Sequence, residues 1–313
     1  MKCNFCGSEN NEIIHQHTRF EKNDVLECKD CGLVFLDIKK PKEEAESFYA
    51  KEYREVNSIP KKSAEEWFSD PVIRQDCKNR LEWITRQYGD VSWKKILDIG
   101  SSSGYFLKTL FSANARATGV ELNESCSDYA RSLGFTVYSK SIETIGFKNE
   151  FDLVVMFHTF EHVFDPASVL RAISTALNDG GVFMGEVPNQ DDWRIKVFNN
   201  EVVKRFHYDP FHYYYLSPKT LTGYLKKYGF DHIRLETVER YNSLTQLRRI
   251  LCGEYNLKDA DKVLKQNIFT KPENNVRIQN LNNRQETEFN RIFEKGVNSE
   301  LMGNCLRWVA TKT

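Results

Sequence analysis

The pattern of apolar positions changes at about residue 94. From there, short apolar runs alternate with segments in which apolar residues recur every three or four positions. The first pattern is typical of buried strands and the second of amphipathic helices. Strands are predicted at 96–99, 117–120, 136–138, 151–157, 182–187, 230–238 and 306–312, and helices at 105–113, 124–133, 169–177 and 221–228. The alternation predicts an α/β fold with a doubly wound, mainly parallel seven-stranded sheet covered by helices on both faces.

Two segments outside this alternation are also predicted to be helical. Residues 64–88 contain one or two amphipathic helices, broken near Asp70-Pro71 and ended by Gly89. Residues 239–304, before the last strand, are polar and helical, with an Asn-rich loop at 274–283. We expect this insertion to be a lid or an oligomerisation surface, which allows for a homodimer. The linker aromatics Phe48, Tyr49 and Tyr53 either pack on the main domain or supply a tyrosine that closes over a ligand.

Four of the eight cysteines form two Cys-x-x-Cys pairs near the N-terminus. Each pair is followed by glycine, as in a zinc knuckle, and two knuckles complete a four-thiolate site. The predicted ligands are Cys3, Cys6, Cys28 and Cys31. We expect a structural zinc, because so short a segment buries too little apolar surface to fold unaided. A redox dithiol is the alternative, and His15 and His17 are either substitute ligands or solvent-facing residues of a hairpin between 11–17 and 24–27.

Charge and composition narrow the class of protein. Lys plus Arg and Asp plus Glu both number 44, so no overall field draws the chain to nucleic acid. No window of about 20 uncharged apolar residues is present, so no membrane span is expected. A cysteine cluster with metal-ligand spacing is typical of a reducing compartment, and we expect a cytoplasmic protein.

A Gly/Ser-rich turn joins the predicted strand at 96–99 to the helix at 105–113. Gly100 and Gly104 allow the backbone to approach a ligand closely, and the N–H groups at the helix start can bind its polar groups. Glu121 ends the next strand, where a carboxylate can accept hydrogen bonds from ribose hydroxyls. The pattern favours a nucleotide-type ligand over a turn without one.

These residues resemble the first motif of the class I S-adenosylmethionine-dependent methyltransferases, in which a strand ending in an acid precedes Gly-x-x-x-Gly. Asp98, Gly100, Ser102 and Gly104 match its positions, and Glu121 matches the ribose-binding acid. The resemblance implies a Rossmann-like fold and S-adenosylmethionine as cofactor. It also implies contacts to the cofactor from three further positions, which are Ser141, Ile142 and Phe157.

The strand at 151–157 runs into a segment with three ionisable residues. If a helix begins there, His158, Glu161 and His162 share one face directed towards the ligand crevice. The segment Glu-His-Val-x-Asp-Pro resembles a methyltransferase motif. In the ubiquinone-pathway O-methyltransferases, a Glu-x-x-Glu-His form is associated with a divalent cation. Here His158 occupies the place of the first glutamate, so the resemblance keeps three possible ligands for a second divalent metal, in a set less suited to magnesium, which prefers oxygen. The alternative is a helix start that Glu161 caps without metal.

An insertion at 190–216 carries an aromatic-rich stretch. Two histidines, an acid and six aromatic residues predict a wall that stacks on a sugar or another ring, with core packing as the alternative. The portion His212 to Ser217 reads His-x-x-Tyr-x-Ser and resembles methyltransferases of sugar and surface-polysaccharide pathways. Some sugar C-methyltransferases have a longer Tyr-His-Glu-His form, and Asp209 to His212 departs from it. The departure favours O-methylation.

Together the motifs predict four parts. They are a zinc ribbon at 1–38, a linker with helices at 39–93, a cofactor-binding core at 94–238 and 305–313, and the helical insertion at 239–304. The predicted function is S-adenosylmethionine-dependent O-methylation of a small-molecule acceptor, a sugar or nucleotide-linked sugar in glycan biosynthesis. His158, His162 and His212 are the candidate general bases, because imidazole has a suitable intrinsic pKa.

Three alternatives stay open. An rRNA or tRNA methyltransferase would use the ribbon to bind RNA, but the ribbon is not basic. A sugar C-methyltransferase would share the same fold and cofactor. A protein that binds the cofactor without turnover would explain why Ser102, Ser141 and His158 replace the usual residues.

Overall fold

The computed structural model of this chain describes residues 2–19, 21–37, 62–199, 201–240, 242–251 and 276–313. Phe48, Tyr49 and Tyr53 lie outside these ranges. The strands are β1 (Asn11–His15), β2 (Val25–Cys28), β3 (Val34–Leu36), β4 (Lys95–Ile99), β5 (Arg116–Val120), β6 (Thr136–Tyr138), β7 (Phe151–Phe157), β8 (Leu177–Pro188), β9 (Tyr214–Tyr215), β10 (Phe230–Val238) and β11 (Cys305–Lys312). The helices are α1 (Ala64–Ser69), α2 (Pro71–Tyr88), α3 (Tyr105–Ser112), α4 (Glu124–Ser132), α5 (Ile142–Ile145), α6 (Pro166–Ala176), α7 (Trp193–Lys196), α8 (Glu201–His207), α9 (Pro218–Lys227), α10 (Ser243–Leu251) and α11 (Val276–Ser299).

The main sheet has seven strands in the order β10-β11-β8-β7-β4-β5-β6. All run parallel except β11, which pairs antiparallel with both β8 and β10. The predicted doubly wound, mainly parallel seven-stranded sheet is therefore confirmed. The chain moves outward from β4 to β6 and then returns to β7, so the crevice expected for a ligand lies at the carboxyl ends of β4 and β7.

Alternate residues of the central strands feed two hydrophobic clusters, one on each face of the sheet. Leu97 and Ile99 belong to the cluster covered by α6 and α9, whereas Ile96 packs with Trp83 of α2 and Phe106 of α3 on the other face. Burial on both faces requires near-continuous apolar strands, which the sequence provides.

Local capping explains the helix break in the N-terminal segment. Asp70 ends α1 and accepts hydrogen bonds from the backbone N–H of Val72 and Ile73 at 2.7 and 3.4 Å, while Pro71 occupies the first position of α2. Gly89 follows the last residue of α2. The predicted break and stop are confirmed.

Two predicted boundaries are wrong. Strand β8 begins at Leu177 rather than 182, because residues 178–181 form an irregular extension whose pairing with β7 shifts register. Helix α11 begins at Val276, where an Asn-rich loop was predicted. Apolar residues of α11, such as Phe293 and Val297, pack with Trp193 and α10, and this tertiary packing outweighs the weak helix propensity of asparagine.

The N-terminal cysteine segment forms a second sheet that is not made of local strands alone. The predicted hairpin is present as β1 and β2, and β3 adds a third strand. The fourth strand, β9, comes from the insertion at 190–216 and pairs antiparallel with β3. Within the part of the chain that the structure describes, no helix is both long and apolar enough to cross a bilayer.

Candidate functional site

The glycine-containing turn after β4 forms one side of the crevice. Gly100, Ser102 and Gly104 all have positive φ angles, of 82°, 53° and 86°. A Cβ atom at Gly100 would lie 2.1 Å from Oγ1 of Thr159, the second residue after β7. Only glycine fits there, because a left-handed backbone and a close neighbour coincide.

Glu121, directly after β5, fastens this turn. The side chain is 5% exposed and accepts hydrogen bonds from the backbone N–H groups of Ser102 and Asn123, both at 2.8 Å. Asn123 in turn caps α4 through the N–H of Cys126 at 3.0 Å. The predicted ribose-binding acid thus lies against the predicted cofactor turn, and the two form one unit.

The other predicted cofactor residues play different structural parts. Asp98 is 3% exposed, and burial together with the nearby Glu121 raises its pKa to about 7, although Arg80 opposes the shift. Ser141 lines the crevice and donates to Glu143 at 2.6 Å, whereas Ile142 is buried in the main core.

The ring of Phe157 does not line the crevice. It lies in the cluster on the α2 and α3 face, 5.4 Å from the ring of Phe106 and 4.6 Å from the Arg80 guanidinium. Its backbone carbonyl accepts a hydrogen bond from Thr159 at 3.1 Å. Only the main chain of Phe157 therefore faces the turn that leads into the site.

A cleft of about 80 Å³ opens beside the cofactor turn. Most of the exposed surface of its walls is apolar, although about half of the lining residues have polar side chains. The lining residues are Leu122, Ser141, Glu143, Thr159, His162, Val163, Phe164, Asp165, Val169 and Tyr213. His162 is the one candidate base among these lining residues, which makes it the best placed to reach an acceptor.

The prediction that one helix carries His158, Glu161 and His162 is wrong. His158 follows β7 with a φ of 49°, and only a single 3₁₀ turn, Phe160–His162, comes after it. A left-handed residue breaks the helical spacing that would align the three side chains. The structure instead divides them between two clusters that meet at Glu161.

The first cluster surrounds His158. Its Nε2 lies 2.7 Å from Oε1 of Glu186, whose other oxygen accepts from Nε of Arg307 at 2.6 Å. Burial and the Arg240 guanidinium disfavour the protonated imidazole. Hydrogen bonds with Cys305, Glu161 and Glu186 outweigh both and raise the pKa of His158 well above its usual value. An imidazole that keeps its proton at neutral pH is unsuited to act as a base.

The second cluster brings together Glu161, His162 and His212, whose ligand atoms all lie within 4.8 Å of one another. Nδ1 of His162 lies 2.8 Å from the carbonyl oxygen of Phe211, which can only accept, so Nδ1 carries a proton. In the corresponding neutral tautomer the lone pair is on Nε2. The rings of His162 and His212 meet edge to face at 4.8 Å.

Buried charge controls this cluster. Glu161 is 2% exposed, and burial alone would raise its pKa, but His158, His162 and His212 together lower it to about 2. Burial lowers the pKa of His212 to about 4, with Asp209 and Glu161 opposing the shift. At neutral pH the carboxylate is therefore ionised and His212 is neutral.

The four predicted metal-ligating cysteines converge. The sulfur atoms of Cys3 and Cys31 are 3.5 Å apart, as are those of Cys6 and Cys28, and all four lie within 4.8 Å of one another. A tetrahedral zinc with bonds of about 2.3 Å to sulfur requires separations of about 3.8 Å. The four cysteines therefore fit a zinc ion bound by four thiolates.

Sequence reasoning missed several residues of the site. Glu186 interrupts the apolar run of β8, and an acid within a buried run of a strand could have been identified from the sequence as a candidate site residue. Thr159 carried no such signal, because only the folded turn after β7 brings it to the cleft, whereas Tyr213 belongs to the aromatic stretch that was predicted to line the site. Of the other aromatics of the predicted stacking wall whose side chains the structure describes, Phe211 is half-buried, whereas Tyr208, Tyr214 and Tyr215 are 2–4% exposed and belong to the core.

Comparisons with known proteins agree with this geometry. A family model described as a methyltransferase domain matches residues 67–235, more than half of the chain. The ubiquinone biosynthesis O-methyltransferases of Bordetella bronchiseptica and Aromatoleum aromaticum are 29% and 31% identical over 180 residues. These matches cover 54% of this chain and 74% and 76% of those proteins. A crystal structure of a SAM-dependent methyltransferase from Archaeoglobus fulgidus shares the fold, with a TM-score of 0.50, 21% identity, and coverage of 76% of this chain and 94% of that one.

Proposed function

This chain belongs to the methyltransferase domain family and is an S-adenosylmethionine-dependent methyltransferase. We propose that it methylates the hydroxyl group of a small ring-bearing acceptor, with His162 as the general base. The observation that carries this proposal is the position of His162 in the cleft beside the cofactor turn. The O-methyltransferase names of its relatives support transfer to oxygen.

Hydrogen bonding and burial distinguish the three candidate histidines. Nε2 of His158 already lies 2.7 Å from Glu186 and 2.8 Å from the Arg240 guanidinium, so it is not available to an acceptor hydroxyl. His212 is neutral, but a pKa of about 4 makes it a weak base. His162 has its Nδ1 proton committed to the carbonyl of Phe211, which directs the basic Nε2 away from that bond. His162 is therefore the base, and His212 a positioning residue beside it.

The lining of the cleft favours an aromatic hydroxyl over a sugar. Each hydroxyl of a bound sugar must find a polar partner or lose the hydrogen bonds it made with water. Several polar groups of this cleft are already engaged within the protein, because Ser141 donates to Glu143 and Asp165 caps α6. Three of the aromatic residues that motivated a sugar acceptor, Tyr208, Tyr214 and Tyr215, belong to the core. A phenolic hydroxyl ionises near the pKa of tyrosine, about 10, within easier reach of an imidazole than an alcohol. Acceptors of this type also accord with the ubiquinone-biosynthesis names of the relatives.

Different residues of the chain bind the cofactor, orient the acceptor and accept its proton. S-adenosylmethionine supplies an activated methyl group when bound. Glu121 and the glycine turn hold the ribose side of the site, and the apolar walls exclude water and orient the acceptor oxygen for in-line attack. Nε2 of His162 takes the hydroxyl proton, and the ionised Glu161 nearby stabilises the imidazolium that results.

For metals, we propose a structural zinc on Cys3, Cys6, Cys28 and Cys31. A second divalent cation on His158, Glu161 and His162 receives less support, because His158 is directed to Glu186. The set that does converge, Glu161 with His162 and His212, offers one carboxylate and two imidazoles. Such a donor set does not suit magnesium, which prefers oxygen ligands.

Methylation of RNA is less well supported than methylation of a small molecule. Of the basic residues in the ribbon, Lys2 pairs with Glu9, Arg19 with Asp209, and Lys29 with Glu12. Neutralised side chains release few counterions on contact with phosphates, so they contribute little to RNA affinity.

An acceptor panel tests the proposal. The protein is incubated with S-adenosylmethionine and either phenols and catechols or nucleotide-linked sugars, and products are identified by mass spectrometry. We expect methyl ethers of the phenolic acceptors only. Methylation of sugars without turnover of any phenol would contradict the proposed acceptor, and methylation on carbon would contradict the O-methyl assignment.

A further inference from the structure

We propose that the cysteine ribbon positions part of the active site: it holds the histidine loop, defined as residues 208–216, and thereby places His212 beside Glu161 and His162. The inference rests on the proposed function only in giving these histidines a part in methyl transfer. The ribbon is then an integral component of the catalytic site. It is not an independent module.

The second half of the loop is itself a strand of the ribbon sheet. Strand β9 pairs with β3 through Val34 opposite Tyr215 and Phe35 opposite Tyr214. One residue earlier, the N–H of Leu36 donates to the carbonyl of Tyr213 at 3.1 Å. The backbone of the loop immediately after His212 is therefore fixed by the ribbon.

The first half of the loop is held by Arg19 of the ribbon. Its Nη1 lies 3.1 Å from Oδ2 of Asp209, and its N–H donates to the carbonyl of Tyr208 at 2.9 Å. The other oxygen of Asp209 accepts from the N–H of Phe211 at 3.0 Å. One carboxylate, 3% exposed at its side chain, thus binds the ribbon and folds the turn that leads to His212.

The turn transmits this position to the catalytic cluster. The N–H of His212 donates to the carbonyl of Asp209 at 3.1 Å, and the carbonyl of Phe211 accepts from Nδ1 of His162 at 2.8 Å. The N–H of Tyr213 donates to the carbonyl of Glu161 at 2.8 Å. The contact that fixes the tautomer of His162 therefore comes from the loop that Arg19 and Asp209 shape.

The ribbon packs directly against the core, and these contacts fix its position relative to the cleft. The ring of Phe5 lies 4.4 Å from that of Tyr224, over Gly223, where a Cβ atom would come within 2.9 Å of the Phe5 ring. Nδ2 of Asn4 donates to Oη of Tyr214 at 2.5 Å, and that hydroxyl donates to the carbonyl of Phe164 at 3.0 Å. These contacts connect the first knuckle to the wall of the cleft.

The Arg19 and Asp209 pair is the point at which to test the coupling. Removing the guanidinium leaves a buried carboxylate without its cation, and the turn must rearrange to solvate it. The test variants are Arg19→Met, Arg19→Lys and Asp209→Asn. The matched control is Lys22→Met, at an exposed cation of the same ribbon.

Zinc content, hydrogen exchange of the amides in 208–216, cofactor affinity and steady-state kinetics are measured for the wild type and each variant, all prepared with zinc. Arg19→Met is expected to exchange faster in the loop and to lose about 10- to 100-fold in kcat, since small misplacements of catalytic groups carry such costs. Cofactor affinity and the exchange of α4 stay unchanged. Arg19→Lys restores part of both effects, and Lys22→Met behaves as wild type.

Two results would overturn the inference. One is loop exchange in Arg19→Met that matches wild type. The other is a combination of two findings: Arg19→Met loses its zinc, and Asp209→Asn shows loop exchange that matches wild type. Asp209→Asn breaks the same pair but leaves the sequence of the ribbon unchanged. A wild-type protein that methylates no acceptor would refute the proposed function instead, and the exchange data would still decide the coupling.

Discussion

Glu121 is the residue whose replacement tests the cofactor site most sharply. Its carboxylate accepts from the N–H groups of Ser102 and Asn123 at 2.8 Å each. Hydrogen bonds to a charged group contribute about 1.5–3 kcal/mol each, so Glu121→Ala removes about 3–6 kcal/mol of interactions within the protein. Because that loss affects folding as well as binding, the isosteric Glu121→Gln is the better probe.

In Glu121→Gln, one of the two backbone N–H groups, of Ser102 or Asn123, keeps an oxygen acceptor, while the other faces the new side-chain NH₂ group. Part of the turn's hydrogen bonding is therefore preserved. Loss of a charge-assisted hydrogen bond to a ribose hydroxyl, about 1.5–3 kcal/mol, corresponds to an affinity about 10- to 150-fold weaker. Titration calorimetry with S-adenosylmethionine and S-adenosylhomocysteine measures this change, and urea unfolding measures stability separately. Glu124→Gln, at the exposed acid that opens α4, is the control.

An unchanged dissociation constant in folded Glu121→Gln would refute the reasoning. It would mean that Glu121 only fastens the turn and that the ribose lies elsewhere. Weaker binding in Glu124→Gln to the same degree would show a general effect of charge, not a contact.

Three further predictions concern the turn, acid stability and the ribbon. Gly100→Ala should abolish cofactor binding and lower the free energy of unfolding in urea by about 2–4 kcal/mol, because alanine is strained in the left-handed conformation and its Cβ overlaps Thr159. Gly146 is also left-handed but has no close neighbour, so Gly146→Ala should show the effect of the backbone strain alone. The pKa of His212 is lowered from 6.5 to about 4, so its contribution to stability is full above pH 6.5 and is lost as pH falls towards 4. By linkage, the lowered pKa of His212 corresponds to a loss of about 3 kcal/mol in the free energy of unfolding between these two pH values. His212→Gln removes the titrating group, so urea unfolding should show an acid-induced loss that is smaller by about this amount. Chelation of the ribbon metal should abolish turnover while calorimetry still detects cofactor binding; full turnover of the chelated protein would contradict this.

The main sheet was predictable because its signals are local. Each strand of the core is a short apolar run closed by turn residues, and Asp70-Pro71 and Gly89 carry their own capping chemistry. The cysteine spacing predicted a converging set for the same reason: two tight knuckles leave few ways to arrange four thiolates.

The acceptor side of the site was less predictable because it depends on contacts distant in sequence. A two-residue strand such as β9 has no pattern of its own, and its partner β3 lies about 180 residues earlier. The left-handed backbone of His158 also escaped prediction, since nothing in its neighbours requires it. These two features separate His158 from His162 and bring His212 to Glu161.

The most direct test of the central claim, methyl transfer to oxygen with His162 as base, is the turnover of His162→Asn. Asparagine retains a donor for the carbonyl of Phe211 but has no basic nitrogen. With a phenolic acceptor, we predict a fall in kcat of about 10²–10⁴ with cofactor affinity unchanged, while His232→Asn, at an exposed histidine, retains full activity. Wild-type turnover by His162→Asn would contradict the account.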